Sequence, residues 1–284
     1  MNRNAQPETG QMSRLQKTSW RHIWSISWPI FLANITVPLV GAVDTAMMGR
    51  FPDPAYIGGV ALGTLVFNFL YFGLGFLRMC TTGLVAQAHG RNDEAEIEDL
   101  LIRGLIIALT LGSLAILASP IIHLVTSQLL TASSSVEHQM QVYVEIRLFA
   151  APAALGNMVL LGCLFGRQQM RLCMVQIMVV NICNLLLNIL FVVGFEMKID
   201  GIALASVAAQ WAGFIFTLGL IGWQWRGMLR GVMARLLTRT PSWFDLPAFG
   251  QFFSPARRTG RRSRAAEAGA PSTSSQETRS RRRR

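Results

Sequence analysis

WPIFLANITVPLVGAVDTAMMG, residues 28–49, decides what kind of chain this is. It is apolar for about the 20 residues a helix needs to cross a bilayer. It is nonetheless interrupted by a proline, Pro38, and by one acid, Asp44. A soluble core helix would not run this long without a polar face. An acid in the middle of such a stretch needs a reason, because an ionised group at mid-bilayer costs about 2.5–3.5 kcal/mol on insertion scales.

Working outward, five more stretches have the same character, at approximately 57–85, 100–126, 140–165, 172–196 and 201–225, with the first extending over 23–48. Each contains Gly, Ala or Ser, the small residues that let membrane helices approach closely. The predicted fold is therefore all-α: a polytopic membrane bundle of six transmembrane helices. The first span is not a cleavable signal, since about 20 mostly polar residues precede it and no small-x-small site follows.

Composition agrees once the charge is divided. The 284 residues are 51% hydrophobic and 14% charged, with net charge +11. Residues 1–254 hold 16 Lys and Arg against 13 Asp and Glu, while 255–284 hold 10 Arg against Glu267 and Glu277. The body is nearly balanced and apolar, and the basicity belongs to the tail. This excludes a soluble single domain and argues against a nucleic-acid-binding body. The four cysteines lie in or beside apolar runs without metal-ligand spacing and read as buried apolar residues. No G-x-S-x-G, H-E-x-x-H, Walker A or Gly-rich dinucleotide loop occurs, so no enzyme is predicted and no metal site or cofactor is implied.

Orientation follows from the loops. Arg3, Arg14, Lys17 and Arg21 precede span 1. Arg91 lies between spans 2 and 3, Arg167 and Arg171 between 4 and 5, and Arg226, Arg230, Arg235 and Arg239 after 6. The other side has only Arg50 and Lys198, and the 126–137 loop has no Lys or Arg. The positive-inside rule places both termini in the cytoplasm. Trp20, Trp24, Trp28, Trp223 and Trp225 are expected to anchor at the interface. Residues 227–239 read as an amphipathic surface helix.

Polar groups inside the spans mark the candidate site. Asp44 lies 23 residues after Arg21, in the outer half of the bilayer, above a kink expected at Pro38. Apolar surroundings disfavour the charged form, so an acid here can hold a proton or a sodium ion. The alternatives are snorkelling to the interface or pairing with Arg50. Asn181, Asn184 and Asn188 share one face of span 5. That face either glues helices together or lines a wet cavity, and Asn157 of span 4 has the same two readings. Asn34 and Asn68 read as packing contacts, and Arg78 and Arg103 as snorkelling residues. Glu145 and Arg147 sit near the outer end of span 4, two apart and so not facing each other; a partner on another span is open. The acids of the 91–99 elbow read as complementing a helix N-terminus, with Asn92 or Asp93 as its cap and Gly90 closing the helix before it.

Longer strings then carry a resemblance. They are WPIFLANITVPLVGAVDTAMMGRFPDPAYIGGVALG, FLRMCTTGLVAQAHGRND, FAAPAALGNMVLLGCLFGRQQMR, NICNLLLNILFVVG and IDGIALASVAAQW. Together they resemble the multidrug and toxic compound extrusion (MATE) family in its DinF-like branch, over about residues 15–253. The pattern LRM-x-TTGL-x-AQA-x-G at 77–90 is the most specific part. The resemblance implies a secondary-active antiporter in the bacterial inner membrane that exports cationic or amphipathic drug-like compounds against a proton or sodium gradient. It implies two six-helix lobes about a pseudo-two-fold axis normal to the membrane, of which this chain supplies one. It places the cation site at Asp44 with Asn184 and Asn188, and the candidate cavity lining at Asn157, Asn181 and Pro38. Some relatives carry an acid where this chain has Asn188, which leaves Asp44 as the lone acid of the site.

The resemblance divides the chain into a cytoplasmic N-terminus (1–22), a transmembrane lobe (23–225), an amphipathic linker (226–254) and an Arg-rich tail (255–284). The tail is too polar to bury a core and is expected to be disordered. It begins where a second lobe is expected, so the chain reads as a truncated form with an unrelated tail. The alternative is a half-transporter that forms a homodimer. Expected partners are drug-like small molecules and membrane lipids, with no specific nucleic acid. A second function class remains: a non-transporting membrane protein whose tail binds anionic lipid or RNA.

Overall fold

The computed structural model describes residues 28, 31, 35, 40–129 and 132–225. Pro38, Asn34, Trp20, Trp24, the N-terminal segment 1–22, the linker and the tail lie outside the described residues.

Among the described residues there is no strand. The helices are α1 (described over 40–48), α2 (Ala55–Leu74), α3 (Phe76–Gly90), α4 (Glu94–Leu117), α5 (Ser119–Leu129), α6 (Ser134–Leu148), α7 (Ala151–Gly166), α8 (Met170–Asn188) and α9 (Ile199–Gln224). A π-helical turn, Ile189–Gly194, continues α8. Four helical runs are long and apolar enough to cross a membrane: Ala55–Gly90, Glu94–Leu117, Met170–Gly194 and Ile199–Gln224. The pair α6 and α7 makes a fifth if it counts as one broken span. The expected span 1 falls largely outside the described residues. What is described of it is helical.

The main departure from expectation is span 4. It is not one helix over 140–165 but two, bent by 56° at Phe149–Ala150. Pro152 at the start of α7 explains the break, because it has no N–H to offer the carbonyl of Leu148. The last turn of α6 closes tightly instead, with Phe149 N donating to Ile146 O at 3.2 Å and Ala150 N to Arg147 O at 2.9 Å. The freed carbonyl of Phe149 accepts from Trp211 Nε1 of α9 at 3.1 Å. Gly112 of α4 lets this corner seat: a Cβ there would collide with the backbone of Pro152 and lie 2.9 Å from Ala151 C. Span 3 also divides, into α4 and the short α5. Span 5 leaves the α-helical path directly after Asn188.

Helix α7 is the hub. It is built from small residues, almost all of it is buried, and it packs against α3, α4, α8 and α9. Gly162 and Gly166, four apart, face α3. A Cβ at Gly162 would lie 2.8 Å from the carbonyl oxygen of Arg78, and one at Gly166 would lie 2.7 Å from Val85 Cβ. This is the close approach that small-xxx-small spacing permits between membrane helices. The opposite character marks α2, where Phe69 and Phe72 are 72% and 87% exposed. Such residues face lipid in a membrane protein.

The turns fall at two ends. At one, Asp93 caps α4 through Glu96 N at 3.1 Å. There Glu94 accepts from Arg167 Nη1 at 2.5 Å, tying the α3–α4 turn to the α7–α8 turn. Arg167 also stacks 4.1 Å from the Trp225 ring. The left-handed residue of the elbow is Asn92 (φ 54°), and Gly90 remains helical. At the other end Lys198 lies 5.4 Å from the Tyr56 ring, and the Tyr56 hydroxyl raises the Lys198 pKa by hydrogen bonding. His123 Nε2 of α5 and Glu145 Oε1 of α6 approach to 3.4 Å, the imidazole mostly covered and the carboxylate exposed.

Candidate functional site

Three helices bring polar residues of the spans into one row. Asp44 of α1 is 5% exposed and accepts from Asn188 Nδ2 of α8 at 2.6 Å. The same amide nitrogen donates to Asn184 Oδ1 at 3.1 Å, one turn earlier on α8. Asn184 Nδ2 in turn donates to Ser206 Oγ of α9 at 3.2 Å. The i, i+4 spacing of Asn184 and Asn188 gives this ladder its register. Asn188 is the last residue before the π-helical turn, and its Oδ1 has no hydrogen-bond partner among the described residues.

The row opens onto a cavity of about 340 Å³. Asp44, Tyr71, Arg147, Asn181, Asn184 and Gln210 are among its lining. Asn68, read from sequence as a packing contact, lines it too. Asn181 contributes to the wall as expected of the asparagine face. Asn188 stands behind Asp44, fully buried.

Asn157 belongs elsewhere. Its Nδ2 donates to Gln210 O and Oε1, both at 2.9 Å, and its Oδ1 accepts from Gln176 Nε2 at 3.1 Å. Asn157 therefore joins α7, α8 and α9, outside the described lining of the cavity. Its amide is consumed by neighbours on both sides. The two readings divide along α8 and α7: Asn181 and Asn184 line the cavity, Asn184 also joining α8 to α9 through Ser206, and Asn157 joins helices.

Arg147 is the residue whose surroundings sequence reading left open. It lies in the final turn of α6, just before the bend, and its side chain lines the cavity. It donates to Tyr143 Oη and lies 5.0 Å from the Phe67 ring and 5.2 Å from the Tyr143 ring. Its charge acts on Asp44 electrostatically. Among the described residues neither Asp44 nor Arg147 forms an ion pair within 4.0 Å. Pairing of Asp44 with Arg50 is thus not seen. Two signals could have found Arg147: Pro152 close behind it, and Tyr143 at i−4. For Ser206 and Gln210 the signal was their i, i+4 spacing on an otherwise apolar helix.

A bent, small-residue helical bundle with a buried acid beside a cavity is the arrangement expected of a polytopic membrane transporter. The match to known proteins makes this specific: the MatE family profile covers residues 29–192, and the chain belongs to that family of transporters. It is 40% identical over 221 residues to DNA damage-inducible protein F of Escherichia coli strain K12, covering 78% of this chain and 48% of that protein. It is 28% identical over 219 residues to multidrug and toxin extrusion protein 1 of Danio rerio, covering 73% and 35%. The fold matches a MATE protein solved in complex with MaD3S, with TM-score 0.65 and 20% identity over 80% of this chain and 50% of that one. It also matches the outward-facing conformation of a multidrug resistance MATE transporter, with TM-score 0.64 and 19% identity over 70% and 44%. The chain spans about half the length of the curated relatives it matches most extensively. Family and apolar helices together make it an integral membrane protein.

Proposed function

We propose that this lobe performs the ion-coupled part of multidrug efflux: a secondary-active antiporter in which Asp44 holds the coupling cation, a proton or sodium ion, while drug-like cationic or amphipathic compounds use the adjoining cavity. The observation that carries the reading is the Asp44–Asn188 hydrogen bond at 2.6 Å beside that cavity. An N–H donated to a carboxylate favours its ionised form. A proton on the carboxylate neutralises that acceptor and weakens the hydrogen bond, and a bound sodium ion competes for it. Either event loosens the α1–α8 link at the point where α8 widens into its π-helical turn, a geometry frequent at functional sites. Cation uptake thus changes how α1 is held, favours α1 bending and expels substrate; cation release restores the binding state.

The placement proposed is the bacterial inner membrane with both termini in the cytoplasm, from the loop arginines. The partners proposed are drug-like compounds, bilayer lipids and a second copy of the chain about a parallel pseudo-two-fold axis. The test is gradient-driven dye export from cells or vesicles carrying the full chain. Wild type exports and Asp44→Asn, although folded and inserted, does not. Undiminished export by Asp44→Asn removes Asp44 from the mechanism.

A further inference from the structure

The cavity contains a fixed cation as well as a fixed anion. We infer that it is built for zwitterions: the cationic group of the substrate sits on Asp44 and its carboxylate or sulfonate sits on Arg147, making Arg147 a specificity-determining residue. This rests on the proposed coupling role of Asp44 and names the substrate class of the same site.

The argument begins with charge. Asp44 and Arg147 both line the cavity, act on each other electrostatically and are not within ion-pair distance. Their charges sum to zero with nothing bound. A purely cationic ligand on Asp44 leaves the guanidinium uncompensated in a confined, poorly hydrated space, and such a charge is costly. A purely anionic ligand on Arg147 leaves the carboxylate uncompensated in the same way. A ligand carrying both signs satisfies both groups and adds no net charge.

Positioning supports the assignment. The guanidinium is held against the Phe67 and Tyr143 rings and donates one N–H to Tyr143 Oη. Its remaining donors keep the planar fork that matches a carboxylate. The same cavity wall also offers neutral groups, Tyr71, Asn181 and Gln210, suited to the body of an amphipathic molecule.

Exchange logic points the same way. A substrate cation and a coupling cation compete for Asp44, which is what antiport requires. An anion bound to Arg147 alone would bind best when Asp44 is already protonated, which links the two in co-transport. Only a ligand with a cationic group on Asp44 keeps competition while using Arg147.

The test is equilibrium binding of two dyes to the purified full chain in micelles, followed by fluorescence anisotropy. One dye is a cationic rhodamine ester; the other is its free acid, zwitterionic at neutral pH. Wild type is expected to bind the free acid about tenfold more tightly, the scale of one charge-assisted hydrogen-bonded pair. Arg147→Gln is expected to reverse the order, weakening the free acid and tightening the ester as repulsion is removed. Arg147→Lys keeps a cation and so keeps a preference for the free acid. Equal binding of both dyes by wild type overturns the inference, as does a ratio unmoved by Arg147→Gln. Should Arg147→Gln fail to fold, Arg147→Lys decides: a retained preference supports the inference, and its loss overturns it. The coupling proposal fails differently, through normal export by Asp44→Asn.

Discussion

Two amide clusters cross the bundle, and they do opposite things with similar side chains. In one, Gln176, Asn157 and Gln210 bind α8, α7 and α9 together with neutral partners only. In the other, Ser206, Asn184 and Asn188 lead from α9 through α8 to a carboxylate on α1. The first has no state to change, since none of its members gains or loses a proton near neutral pH. The second ends on a group whose hydrogen-bond role inverts with its charge: ionised, Asp44 only accepts; protonated, it also donates. Equal polarity in a membrane thus gives glue in one place and a switch in the other. What separates them is a single acid, since Gln210 of the first cluster lines the same cavity.

The comparison can be broken in several ways. The largest effect is expected from Asp44→Asn, which turns the second cluster into an all-neutral one like the first; gradient-driven dye export falls to background, read in inverted vesicles. Next is Gly112→Val, which pushes against the Pro152 corner that follows Arg147. Overpacking of this kind costs about 1–3 kcal/mol, read as a lower thermal midpoint in micelles together with a lost discrimination between zwitterionic and cationic dyes. Asn188→Leu removes the donor to Asp44 and fills its space with an apolar chain. Losing a hydrogen bond to a charged group is worth about 1.5–3 kcal/mol, so dye binding is expected to lose its dependence on cation concentration at least tenfold. Gln176→Leu is the mildest, about 0.6–1.7 kcal/mol by the range measured for hydrogen bonds between membrane helices. It should lower the thermal midpoint slightly while leaving the cation dependence in place. Loss of that dependence in Gln176→Leu would join the two clusters into one functional unit.

Much of this was legible in the chain itself. The apolar stretches gave the helices of the bundle, because length and composition alone decide whether a helix can cross a bilayer. Asp44 stood out because an acid in such a stretch is costly, and Asn184 and Asn188 because their spacing puts them on one helix face. The bend at Phe149–Ala150 was less legible. Pro152 signals a break, but its angle depends on how Gly112 and Trp211 receive the corner, and those contacts join residues distant in sequence. The surroundings of Arg147 were illegible for the same reason: Phe67 and the other residues around it come from helices distant in sequence. Asn157 could not be sorted from Asn181 by sequence, since both are asparagines on apolar helices. Only the packing across the bundle shows that Asn181 lines the cavity and that Asn157 bridges Gln176 and Gln210.

The central claim is that Asp44 exchanges a coupling cation for a substrate cation. Proton release on dye binding tests it most directly, measured with a pH indicator in weakly buffered micelles at a pH where Asp44 is partly protonated. The account predicts that the cationic rhodamine ester releases protons from wild type and from Gln176→Leu, and none from Asp44→Asn. Proton release by Asp44→Asn equal to that of wild type would contradict it.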